Sequence, residues 1–121
     1  MLAGVLEKLA ERLGEVPGLQ VQGAVPAAPP FSLPTAVISI RRVSFPPPER
    51  KPVDVQVAVA VVASSVAELA ATIDNIVEAL SAPWRSSPIR GVGSIVVQGM
   101  SALEGHPTGV VAELSIELFV V

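Results

Sequence analysis

Valine stands at 53, 55, 57, 59 and 61, an unbroken alternation. Successive side chains of a strand point to opposite faces, so this series predicts a strand with one fully apolar ridge. The other face reads Asp54, Gln56, Ala58, Ala60 and Val62. Small apolar residues on a face expected to meet water suit close approach of another layer or another subunit. Directly after comes Ser65-Val66-Ala67-Glu68. This is the spacing of a capping box: the Ser65 hydroxyl accepts from the Glu68 N–H, and the Glu68 carboxylate reaches back to the Ser65 N–H. Val66, Leu69, Ala70, Ile73, Ile76, Val77 and Leu80 then recur at helical spacing and give that helix an apolar face. A strand and a helix so specified should pack on each other, and the remaining segments should extend that pair of layers.

Upstream, Leu2 to Leu13 predicts a first helix. Leu2, Val5, Leu6, Leu9 and Leu13 share a face, Glu7, Lys8, Glu11 and Arg12 lie mostly opposite, and Gly14 is a plausible stop. Its polar face is charge-balanced rather than cationic, which favours docking on a sheet over lying on a membrane surface. Leu19 to Val25 predicts a short strand, followed by a stiff proline-rich connector over 26–34. Thr35 to Phe45 predicts the next strand. Pro46-Pro47-Pro48-Glu49-Arg50-Lys51-Pro52 cannot enter a sheet interior and must project as a hairpin connection. The tip and its approach hold Arg41, Arg42, Arg50 and Lys51, four of the eight basic residues. They read either as a solvated hairpin that blunts a sheet edge or as a basic arm that docks on an acidic neighbour.

Beyond the second helix, 81–90 reads as a loop containing Pro83 and Pro88, with Trp84 expected to cap the helix end. Val92 to Met100 predicts a strand loosened by Gly91, Gly93 and Gly99, and 103–109 a polar turn. Val110 to Val121 predicts the last strand. Val110, Ala112, Leu114, Ile116, Leu118 and Val120 face one way, and Glu113, Ser115 and Glu117 the other. Phe119 and Val121 break the polarity of that second face and are candidate interface contacts. The order α-β-β-β-α-β-β predicts a single α+β domain over 1–121. It would be a mainly antiparallel sheet of about five strands with two helices packed on one face.

The chain supplies little chemistry. Cysteine is absent, so disulfides and thiolate reactions are excluded. The lone histidine, His106, sits between Gly105 and Pro107 and reads as an ordinary loop residue, with no Gly-x-Ser-x-Gly elbow to partner it. Carboxylates are scattered, and Asp74 and Glu78 fall on the solvent side of their helix. Gly91-Val92-Gly93-Ser94 precedes a strand and lacks a lysine, so it is not a P-loop. A net charge of −3 and four scattered large aromatics disfavour a nucleic-acid binder. No catalytic residue, metal site or cofactor is expected. Prolines break the longest uncharged run, and Glu7, Lys8, Glu11 and Arg12 stand where an apolar signal core would lie. A soluble chain, intracellular when made and without a membrane partner, is therefore expected.

Several stretches together carry a resemblance. They are the N-terminal amphipathic helix, Pro34-Thr35-Ala36-Val37-Ile38-Ser39-Ile40, the projecting hairpin, and Val53-Asp54-Val55-Gln56-Val57 running through Ser64-Ser65 into the helix 67–80, with a long final strand. In this order they resemble the tail terminator (tail completion, head–tail joining) proteins of long-tailed bacteriophages. The resemblance covers nearly the whole chain in element order and length, and it implies a structural, non-enzymatic virion protein. It also implies a homo-oligomeric ring, usually of six subunits, that caps the tail tube and contacts a neck or connector protein. Genomic DNA would meet it only in passage through the lumen, and assembly would occur in the host cytoplasm. In that setting Arg41, Arg42, Arg50, Lys51, Phe119 and Val121 are expected at interfaces, and Glu113 and Glu117 facing the lumen. Two alternatives stand beside it: another neck or head-completion connector, and a ferredoxin-like small-molecule-binding or enzyme-accessory domain.

Overall fold

A computed structural model describes residues 2–22, 34–47, 53–85, 88–102 and 109–120. Helix α1 is Leu2–Gly14, followed by strands β1 (Gln20–Gln22), β2 (Thr35–Ser44) and β3 (Asp54–Ala63). Helix α2 (Val66–Ser81) leads to β4 (Ile89–Ala102) and β5 (Val110–Val120). The strands form one sheet in the order β1-β2-β3-β5-β4. Among the described residues only the β1–β2 pair is parallel. The fold is the α+β arrangement expected from the sequence, with a mixed sheet and both helices on one face.

The alternating valines decide which face that is. Val55, Val57, Val59 and Val61 are fully buried. They pair with Leu118, Ile116, Leu114 and Ala112 of β5, which are buried on the same side. Val5, Leu9 and Leu13 of α1 and Leu69, Ile73, Ile76 and Leu80 of α2 complete one continuous apolar cluster with them. Two members of the expected α2 stripe are not in it: Val66 and Ala70 are exposed. Val66 is the first helical residue, and its side chain leans back toward the helix start, away from the sheet.

The helix start is capped nearly as expected. Ser65 Oγ accepts from Glu68 N at 3.1 Å, but Glu68 Oε1 accepts from Ser64 N at 3.0 Å, one residue earlier than the expected Ser65 N–H. Gly14 is helical rather than a left-handed stop; the left-handed turn falls at Gly18, with φ 76°. Of the strand expected over 19–25, the described residues show β1 at Gln20–Gln22 with Leu19 buried ahead of it; 23–25 and the connector to 33 lie outside the described residues.

The largest departure is β4. It spans 14 residues, Ile89–Ala102, where a loop to Arg90 and a strand over 92–100 were expected. The pairing with β5 slips between Ile89 and Gly91, between Val92 and Ile95, and between Gln98 and Met100. Each slip takes up an extra residue as a bulge. The glycines of this strand let it bend and stay paired: Gly99, with φ 49°, lies within the last slip.

Leu114→Ala should lower unfolding stability by about 2–5 kcal/mol, because it opens a cavity in the filled layer between sheet and helices. Ser65→Ala should cost about 1 kcal/mol through loss of the cap. Urea unfolding followed by circular dichroism checks both.

Candidate assembly surface

The helix side of the sheet is closed by a contact that joins the two helices. Arg12 Nη1 donates to Ala79 O at 2.8 Å and Ala82 O at 3.0 Å, and Nη2 donates to Pro83 O at 2.7 Å. These are carbonyls at and just past the C-terminal end of α2, where the helix carries partial negative charge and has no basic residue of its own. The guanidinium also lies 4.0 Å from the Trp84 ring centroid, and Trp84 Nε1 donates to Leu80 O at 3.1 Å. Trp84 thus caps the helix end, as the sequence suggests. The helical period places Arg12 toward solvent, yet it is the clamp between α1 and α2. Its reach is set by how the helices cross, which no local pattern records.

The opposite face of the sheet is covered by no described element. Its central rows are short: Val37, Ala60 and Glu113 form one, and Ser39, Ala58, Ser115 and Val96 the next. Arg41 sits in a bulge of β2 between Ile40, which pairs with Val57, and Arg42, which pairs with Gln56. From there Arg41 Nη2 reaches Glu113 Oε1 at 2.8 Å, two strands away. Two strand spacings are about 10 Å, and the path crosses β3, where Ala58 and Ala60 leave room for the arginine stem. With both side chains partly exposed, the pair adds under about 1 kcal/mol. Its effect is to lay a polar bar across an otherwise small-residue surface.

The other site residues named from the sequence divide as follows. Arg42 is exposed on the open face one row beyond, in the strand and not on the hairpin tip. Glu117 is half-buried and Phe119 is 43% exposed on the same face. A β-carbon built on Gly93 would lie 2.5 Å from Glu117 Oε1 and 2.9 Å from Phe119 Cε2. The carboxylate and the ring therefore lean over the glycine, toward the outer edge of β4. Glu113, by contrast, is tied to Arg41. Arg50, Lys51 and Val121, and with them most of the hairpin tip, lie outside the described residues, as does His106.

Sequence reasoning passed over the edge strand itself. From Gly91 to Ala102 β4 carries no charged residue, and Val96, Val97 and Met100 are exposed on it at 49%, 44% and 52%. Its edge position follows from strand order, which the alternation does not encode. Among the described residues no group of three or more His, Cys, Asp or Glu side chains could hold a metal ion. Among them, too, no helix is long and apolar enough to cross a membrane.

No protein-family model and no curated protein matches the chain. Among solved structures it is similar to a chain of the virion of a native gene transfer agent particle. The two align with a TM-score of 0.60 over 99% of this chain and 93% of that one, at 17% sequence identity. That likeness establishes a shared fold across nearly the whole length of both.

Arg12→Ala should destabilise the chain by about 2 kcal/mol, because three charged hydrogen bonds, one part-buried and two exposed, are lost together with the Trp84 contact. Arg12→Lys should recover only part of this, since an ammonium cannot span three carbonyls as a planar fork does. Trp84 is the only tryptophan, so its fluorescence in the folded state reports the clamp directly and should shift in both variants.

Proposed function

We propose that this chain is a structural subunit of a phage-like virion that acts as a tail terminator. It assembles into a ring, six copies being the expected number, that caps the tail tube and forms its joint to the neck. The observation that carries the reading is the end-to-end fold match to a virion chain, joined to the element order that resembles the terminator family. The surface is compatible with it: small residues and a polar bar on one sheet face, and a long uncharged edge strand beside them. Its work is done by binding other subunits, the tube protein and a neck protein, and not by catalysis. The genome passes the open face without being held; Glu117 lies on that face, leaning over Gly93. Glu113, held by Arg41, contributes less negative charge than its sequence position suggests.

The two other readings predict different partners. A head-completion connector would bind filled heads in preference to tail tubes. A small-molecule domain would hold its ligand between helices and sheet; Leu9, Leu69, Ile76 and Leu114 are fully buried there, and a groove of about 260 Å³ opens between α1 and β2.

Light scattering across a concentration series, with negative-stain images, should give particles near six times the 12.5 kDa chain mass, with an open centre. Added to growing tail tubes, the protein should sit at one end and stop elongation. Reversing the charges of Arg41, Arg42, Arg50 and Lys51 together should weaken both behaviours. Binding to filled heads with none to tubes would replace the terminator reading by the connector.

A further inference from the structure

Resting on the ring reading, we infer that neighbouring copies join edge to edge, β4 of one against the outer edge of β2 in the next. In this junction Arg42 pairs with Glu117 of the neighbouring copy.

The two edges match on each face. Among the described residues, the outer edge of β2, opposite β3, is paired only at Thr35, Ala36 and Val37, by β1, and Ser39 and Ile40 beyond them are exposed. A groove of about 260 Å³ runs beside that edge on the helix side, lined by Leu6, Ala10, Ile38 and Ile40. β4 supplies Ile95 and Val97 on its own helix side, opposite Ile116 and Leu114, with Val97 left exposed. In the sheet β2 and β4 run in opposite directions. Copies related by rotation about an axis near the strand direction therefore bring them together antiparallel. The register that sets Ile38 across from Val97 sets Ile40 across from Ile95, and all four side chains then fall on the helix side. The same register places Ser39 beside Val96 and Arg42 beside Gly93, both on the open face. The two bulges, at Arg41 and at Gly93-Ser94, fall opposite each other and keep the register whole.

Charge selects the occupant. Arg42 and Glu117 share a row of the sheet, yet within one copy Gln56 stands between them. Arg41 crosses the same number of strands over alanines to reach Glu113. Across the proposed junction the residue between Arg42 and the neighbour's Glu117 is Gly93, which has no side chain, and the Glu117 carboxylate already overhangs it. The intersubunit pair thus repeats the internal one with the obstruction removed. The contact is heterologous, so it propagates from copy to copy, and it closes into a ring when the rotation between copies divides a full turn.

The chain has no cysteine, which permits a clean test. Ser39 and Val96 are both exposed, and directly opposed residues of an antiparallel pair bring their β-carbons to about 5 Å. S39C and V96C chains, mixed and oxidised, should give a covalent pair that neither gives alone. The double variant should give a ladder ending at the ring number. R42E and E117R should each lower the assembled fraction at least tenfold, and R42E/E117R together should restore it. Particles of ring mass that form no Ser39–Val96 cross-link overturn the edge assignment and leave the ring reading standing. Cross-links of V96C with itself overturn it in favour of a two-fold β4–β4 contact. A chain that stays monomeric and uncross-linked at every concentration, yet still caps tubes, also overturns it and keeps the terminator reading. Failure to cap tubes as well removes both.

Discussion

Burial of one face of β3 is the constraint from which the other elements follow. Its four inward valines, Val55 to Val61, are wholly removed from water. β3 lies between β2 and β5, so the same ridge sets the register of both neighbours and the side on which the helices must dock. A one-residue slip in either pairing would turn valines outward and leave Asp54 and Gln56 facing Leu69 and Ile76. The sheet is strongly specified at its centre, and the specification weakens toward β4, where three slips are tolerated.

The helix layer depends on a second, smaller device. α1 and α2 share apolar contacts with the sheet, but hydrophobic contact is not directional. Arg12 adds direction. It fixes the C-terminal end of α2 against α1 through three carbonyls and the face of Trp84. One side chain thereby brings positive charge to a helix end and gives Ala82 O and Pro83 O, just past the helix, a donor.

The outer face follows a different logic. It is neither a polar surface nor a second core. Ala58 and Val62 are nearly buried although no described layer covers them. The Arg41–Glu113 bar and the overhang of Glu117 and Phe119 on Gly93 lie on the same face. Soluble proteins ordinarily guard a long edge strand with charges, prolines or brevity. β4 has length, exposed valines and methionine, and no charge after Arg90. Such an edge is suited to being covered by another chain.

What was legible in the sequence is what local periodicity can carry. Alternation at Val53–Val61 and in β5, the helical stripes of α1 and α2, the Ser65 cap and the proline-marked hairpin are all determined by residues near one another in the chain. They suffice for the fold class and for which face of each element is apolar. Tertiary structure alone decided the strand order that makes β4 an edge, the parallel addition of β1, the bulges at Arg41 and Gly93, and the reach of Arg12 to Pro83. The reason is distance along the chain. Arg12 meets acceptors about seventy residues away, and Arg41 meets Glu113 at a separation of 72. A helical wheel sees only that Arg12 is polar, and strand alternation only that Glu113 points outward. Whether such a side chain meets water or a partner depends on how the layers close over the core, and packing alone settles that.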